Sequence, residues 1–227
     1  MRQSGVLRVG MDASFPPFEW ISPDGEPAGL DVALARELGR RLGAEVQFVA
    51  NLPYDGLYDA LAVCQVDVII SSLVIDSDRT ADVIYSQPYF DAGQVLVVPC
   101  TEWEIRELAD LQGQSVAVEL GSPGDLALRR SGRRLQDVTM LHCQTAAEAL
   151  DAVVTGVTTA ALSDRVSALQ HTGACLKITG NPVVSEPYAI AGRQDSARLM
   201  RAVDEALAEM AVDGTLTALI GEYIGVR

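Results

Sequence analysis

No run of about 18 apolar residues occurs anywhere in the chain, so no segment reads as a membrane-spanning helix. A basic surplus is also missing. The 227 residues carry 17 Lys and Arg against 31 Asp and Glu, a formal net charge of −14. Such a surface repels phosphate backbones and anionic lipid headgroups, which argues against nucleic-acid and membrane partners. The four cysteines, Cys64, Cys100, Cys143 and Cys175, form no CxxC pair, and the only histidines are His142 and His171. That pattern argues against a structural zinc site. All four cysteines have apolar neighbours, so buried thiols are the default reading. If the protein is exported, one or two disulfides become available, with three full pairings that spacing does not rank. The N-terminal Met1-Arg2-Gln3-Ser4-Gly5 lacks an apolar signal core. The protein is then either cytoplasmic or has had a signal or anchor removed.

Apolar residues make up 48% and charged residues 21% of the chain, enough for a packed core in one large domain or two small lobes. Strand and helix patterns alternate. Leu7–Met11 reads as a strand, Leu30–Leu42 as an amphipathic helix with Asp31 near its start and Gly43 past its end, and 46–49 as a strand. A short helix over 57–63 precedes an apolar strand over 66–71, and 94–98 is another strand. A second series follows: strands over 115–118, 138–141, 160–162 and 188–191, and helices after 121–124 and over 146–154. Leu199, Val203, Leu207 and Met210 fall at helical spacing, and Asp213-Gly214 separates them from a last helix over 216–223. This alternation predicts an α/β fold with parallel strands. The layout of 60–71 recurs weakly over 152–163, which fits two similar lobes.

Parallel α/β sheets bind ligands beyond the carboxyl ends of their strands. Those positions hold Asp12 and Phe15 after the first strand, Tyr54 after the second, and Ser71, Ser72 and then Arg79 after the third. In the second series they hold Glu119, Gly121 and Ser122, and then Ser163 and Asp164. An arginine can grip a carboxylate through its planar fork, an aspartate can neutralise an ammonium, and the aromatics can sandwich a side chain. The set suits a zwitterion.

The chain resembles the amino-acid-type periplasmic binding proteins of ABC importers, solute-binding protein family 3. The resemblance runs through Leu7-Arg8-Val9-Gly10-Met11-Asp12, Phe15-Pro16-Pro17-Phe18-Glu19, Gly29-Leu30-Asp31-Val32 and Tyr54-Asp55-Gly56-Leu57. It continues through Asp67-Val68-Ile69-Ile70-Ser71-Ser72, Asp78-Arg79, Ser115-Val116-Ala117-Val118, Leu120-Gly121-Ser122, Asp164 and Asp213-Gly214-Thr215. It implies a type II periplasmic binding fold, a Venus-flytrap clamp of two similar α/β lobes joined by two crossover segments. Lobe 1 would comprise residues 1–90 and 188–227 and lobe 2 residues 91–187, with the ligand cleft between them. It also implies an extracytoplasmic, monomeric, cofactor-free binding protein that hands a small polar ligand to ABC transporter membrane subunits.

Under that resemblance Arg79, helped by Ser72, holds the α-carboxylate of an amino acid and Asp164 its ammonium. Asp12, Phe15, Tyr54 and Glu119 contact the side chain, and Asp12 and Glu119 favour a polar or basic one. Ser71, Gly121 and Ser122 complete the expected site. Two positions depart from the family pattern. Val74 stands where a hydroxyl residue is usual and keeps only its N–H, and Pro123 stands where a backbone N–H is usual. Two rival readings share the fold: a cyclohexadienyl-dehydratase-like enzyme, with Glu119 as its general acid, and the sensing domain of a membrane receptor. No Ser/His/Asp arrangement favours catalysis. His142 and His171 read as strand-edge and helix-end residues.

Overall fold

Alternate residues of a strand share a face, so Leu7 and Val9 of the first strand point to one side of the sheet, while Arg8 on the other side pairs with Asp67. In the computed structural model, which describes residues 5–132, 137–171 and 175–225, Leu7 and Val9 are fully buried. Met1–Ser4, read above for a signal, lies outside the described residues.

Strand β1 (Val6–Gly10) leads into a meander of β2 (Ser14–Phe15), β3 (Glu19–Ile21) and β4 (Pro27–Ala28). Helix α1 (Leu30–Leu42) buries Leu30, Leu34, Ala35 and Leu38 on one stripe. It stops at Gly43, whose φ of 63° is the left-handed conformation that glycine adopts without strain. Then come β5 (Glu45–Val49), α2 (Leu57–Ala62), β6 (Val68–Ile69), β7 (Val83–Tyr85) and β8 (Phe90–Asp91). The second series is β9 (Gln94–Pro99), β10 (Ser115–Glu119), α3 (Pro123–Ser131), β11 (Thr139–Cys143), α4 (Ala146–Val154), β12 (Ala160–Asp164), α5 (Arg165–Gln170) and β13 (Leu176–Val184). The chain ends with β14 (Pro187–Tyr188), β15 (Ala191–Arg193), α6 (Ala197–Val212) and α7 (Thr215–Ile224).

The chain forms two compact units. One takes the residues up to Phe90 and from Pro187 onward, the other Asp91–Glu186. The sheet of the first runs β5-β1-β6-β15-β7 and that of the second β11-β10-β12-β9-β13. In each, three parallel strands are extended by antiparallel ones. The same α/β plan is therefore built twice, as the sequence predicts. The first unit packs Leu57 and Leu61 of α2 in one cluster with Ile69 and Val83. The second has a core on each sheet face, one with Leu150 and Val153 of α4 and the other with Leu128 of α3.

Several elements differ from expectation for local reasons. The meander was read as loop because Pro16, Pro17, Pro23 and Gly25 interrupt any alternation. β13 escaped notice because Gly180 and Pro182 break its pattern, and its ladder with β9 shifts register between Thr179 and Val184. The strand expected over 188–191 is two short strands, β14 and β15.

The cysteines also need correcting. Pairing of Pro99 with Leu176 brings the next residues face to face, and Cys100 and Cys175 form a disulfide with Cα atoms 5.4 Å apart. Cys64 and Cys143 are free thiols.

Candidate functional site

In the first unit, Tyr54, Val74 and Arg79 line one open cavity of about 620 Å³, together with Tyr58, Asp76 and Ser77. The Arg79 guanidinium lies 4.3 Å from the centre of the Tyr58 ring. Its Nε is 3.7 Å from Asp76 Oδ2, an ion pair rather than a hydrogen bond. Among the described residues its donors make no hydrogen bond, and half of the side chain stays exposed. Tyr58 is itself fixed by a 2.7 Å bond between its hydroxyl and that of Tyr85, and burial raises its pKa. Val74 adds an apolar wall to this cavity where a hydroxyl would have added a donor.

Asp12 follows β1. Its Oδ2 accepts the Tyr54 backbone N–H at 3.0 Å, so one carboxylate oxygen orients the loop that carries Tyr54. Phe15 is half-exposed and stacks on buried Phe18, with ring centres 5.8 Å apart.

Ser71 and Ser72 sit differently from the expectation of free ligand donors, because both hydroxyls point into the protein. Ser71 Oγ donates to Glu19 Oε1 at 3.0 Å and accepts the Asp12 backbone N–H at 3.0 Å. Ser72 Oγ donates to Glu19 Oε2 at 3.2 Å. A hydroxyl has one proton, so in this arrangement Ser72 can only accept from a ligand. Its backbone N–H donates to Asp31 Oδ2 at 2.6 Å. The φ of Ser72 is 43°, a left-handed conformation that costs a residue with a Cβ about 1–2 kcal/mol.

Glu19 and Asp31 are 1% and 0% exposed. Burial is the main cause that pushes Glu19 up to about 10, with the neighbouring Asp31 charge adding to it. Burial likewise raises Asp31 to about 6, against the bonds it accepts from Ser72 and Tyr89. Sequence reading passed over both residues, although each stands inside a motif quoted for the resemblance. The available signal was two carboxylates, at the start of β3 and the first turn of α1, flanked by apolar residues.

In the second unit, Glu119 ends β10 and is half-buried. Gly121 adopts a φ of 80° and donates its N–H to Asp125 Oδ2 at 3.0 Å. Ser122 caps α3, its Oγ accepting the Asp125 N–H at 3.1 Å. Asp125 is held down to about 2, first by Arg129, whose Nε is 2.7 Å away. Pro123 takes the first helical position, so the first N–H that the helix can offer is that of Gly124. Asp164, at the end of β12, caps α5 by accepting the Ser167 N–H at 2.8 Å on Oδ1. Backbone pairing sets Gln94 opposite Asp164. Gln94 is 6% exposed, and among the described residues its amide makes no hydrogen bond. Its Oε1 lies so close to α3 that a Cβ on Gly124 would come within 2.6 Å of it. Sequence reading missed Gln94 because only strand ends were searched, and it starts an antiparallel strand.

Each unit thus presents polar groups at the carboxyl ends of its parallel strands: a guanidinium with free donors in the first, and carboxylates with a helix N-terminus in the second. Residues 7–226 match the bacterial extracellular solute-binding proteins, family 3. The chain belongs to that family. It is 31% identical over 229 residues to the L-cystine-binding protein of Escherichia coli K12, across 99% of this chain and 85% of that protein. A solved ancestral arginine-binding protein bound to glutamine is 34% identical, covers 99% of each chain and superposes with a TM-score of 0.58. An ancestral cyclohexadienyl dehydratase superposes with a TM-score of 0.81 over 97% of this chain and 93% of that one, at 22% identity, where the likeness shows the fold alone. The fold is the two-lobed type II periplasmic binding fold.

Proposed function

We propose that this protein is an extracytoplasmic solute-binding protein that captures an amino acid and delivers it to an ABC importer, acting as a binder and not as an enzyme. The observation that carries this reading is Arg79, stacked on Tyr58 with its donors uncommitted at the rim of a cavity large enough for an amino acid. A planar fork that rests over an aromatic ring can take a carboxylate at two points. In this reading Asp164 keeps one oxygen for the ligand ammonium and Glu119 faces the ligand side chain, favouring a polar or basic one. Asp12, Phe15 and Tyr54 border the side chain, Val74 contributes its N–H, and Gly121 and Ser122 approach the ligand from the second lobe. The lobes close on the ligand about their two chain crossings, and the closed monomer docks on the transporter.

Among the described residues the one carboxyl with a strongly raised pKa besides Asp31 is Glu19, and both its oxygens are bonded to serine hydroxyls at 1% exposure. That placement suits holding structure rather than donating a proton to a substrate.

The test is thermal unfolding against the twenty standard L-amino acids, L-ornithine and L-cystine, with a cyclohexadienyl acid as control. A ligand at about 100 times its dissociation constant adds roughly 2.7 kcal/mol, or about 5–10 °C for a chain of this size. A shift with one class of amino acid supports the reading. Turnover of the cyclohexadienyl acid, or no shift with any amino acid, overturns it.

A further inference from the structure

Glu19 and Asp31 are both buried and are bridged by Ser72, whose hydroxyl donates to Glu19 and whose N–H donates to Asp31. Two carboxyl groups held together out of water without a cation do not both ionise, so one of them keeps a proton. Around the pair four donors converge. Ser71 Oγ and Ser72 Oγ donate to Glu19, and the Ser72 N–H and the Tyr89 hydroxyl, at 2.6 and 2.8 Å, donate to Asp31. Ser71 Oγ in turn accepts the Asp12 N–H. The pair therefore joins β1, β3, α1, the end of β6 and the segment before β8. What it holds is the turn at Ser72, whose left-handed backbone leads through buried Leu73 to Val74 and the Arg79 cavity.

We propose that Glu19 and Asp31, as a carboxylic acid and a carboxylate, are positioning residues for ligand binding. They hold the Ser71–Ser72 turn, and through it the Val74 wall, in the ligand-accepting shape. Each carboxyl accepts two bonds, Glu19 from the two serine hydroxyls and Asp31 from the Ser72 N–H and the Tyr89 hydroxyl. Burial raises Glu19 further than Asp31, so Glu19 is the member that keeps the proton and Asp31 the one that ionises.

The other titratable groups acting on the pair are Tyr89, against Asp31, and Tyr188, against Tyr89. Among the described residues neither carboxyl forms an ion pair, so no cation compensates a second charge. As pH falls through about 6, Asp31 takes up a proton and loses acceptor capacity toward Ser72. Ligand affinity then falls on that limb. On the alkaline side Glu19 keeps its proton up to about 10. The folded state therefore binds a proton that the unfolded chain has released, and stability declines as pH rises above the ordinary carboxylate range.

The inference rests on the amino-acid reading for its affinity arm alone, and its other arms need no ligand. The infrared carbonyl stretch of a protonated carboxyl should persist in the wild type at pH 8 and vanish in Glu19→Gln. Glu19→Gln keeps a donor toward Asp31 and one acceptor oxygen while shedding the need for a proton, and the serine that faces the new amide nitrogen loses its acceptor. Its melting temperature should gain on the wild type as pH rises, while its affinity should fall by roughly threefold to tenfold because one serine of the turn loses its acceptor. Asp31→Asn should lose roughly ten- to a hundredfold in affinity for whichever panel amino acid shifts the wild type. If Asp31→Asn fails to fold, Tyr89→Phe serves instead. It removes one donor to Asp31 and should move the acid limb of the affinity profile to higher pH. Absence of the carboxyl band in the wild type at pH 8, or an Asp31→Asn protein that folds and binds as tightly as the wild type, overturns the inference. A panel in which nothing binds leaves the band and the stability slope to decide it.

Discussion

Arg79 is stacked on Tyr58 at 4.3 Å, and the Tyr58 hydroxyl is held by Tyr85 at 2.7 Å. The arginine is positioned by a ring that is itself positioned by another ring. Arg79→Lys keeps the charge but loses both the planar fork and the stack. Amino-acid affinity should then drop by roughly ten- to a hundredfold, the worth of one or two charge-assisted hydrogen bonds. Arg79 is half-exposed, so unfolding free energy should stay within about 0.5 kcal/mol of the wild type. Titration calorimetry and urea unfolding on the same samples separate the two. Retained affinity in the lysine variant would remove Arg79 from the site.

The fold was legible to the extent that its elements are periodic. α1 shows a buried stripe of Leu30, Leu34 and Leu38 with Gly43 at its end, and the structure places it over the predicted residues. The apolar β-strands of both series were equally plain. What escaped was structure without periodicity. The β2–β4 meander is broken by prolines, and β13 carries a glycine, a proline and a register shift in its middle. The disulfide escaped for a different reason. Its partners are 75 residues apart, and only the antiparallel pairing of β9 with β13 makes them neighbours.

At the candidate site the residue types were readable, but their commitments were not. Ser71 and Ser72 stand at a strand end, yet their protons are spent on Glu19. Asp12 stands at a strand end, yet one oxygen holds Tyr54. A sequence shows which groups can form hydrogen bonds. The buried partners that claim them come from β3 and α1, tens of residues away.

The disulfide carries its own prediction. Cys100 and Cys175 are bonded and Cys64 and Cys143 are free, so two thiols should titrate in denaturant without reductant and four after reduction. Closing a loop with a 75-residue separation stabilises mainly by restricting the unfolded chain. The Cys100→Ala, Cys175→Ala double variant should lose about 2–4 kcal/mol, read as a lower urea midpoint with a similar slope. Four thiols titrating in unreduced protein would remove the bond.

Gln94 offers the sharpest separation of binding from stability. Its amide is nearly buried, sits beside Asp164 on the ladder and has no hydrogen-bond partner among the described residues. The amide keeps some contact with solvent, so replacing it by an apolar group of similar shape leaves no protein partner orphaned. Gln94→Leu should therefore unfold at the same urea concentration as the wild type or higher. If the amide serves the ligand, in place of the donor that Pro123 lacks, the same variant should bind the amino acid about tenfold more weakly. Gly124→Ala checks this from the other side. The added Cβ would come within 2.6 Å of Gln94 Oε1 and push the amide aside without changing it, so affinity should fall similarly. The double variant should then be no weaker than Gln94→Leu alone, because the two changes act through one group. Affinity losses that add would mean that Gly124 acts on the ligand by itself, and full affinity in Gln94→Leu would return Gln94 to the core.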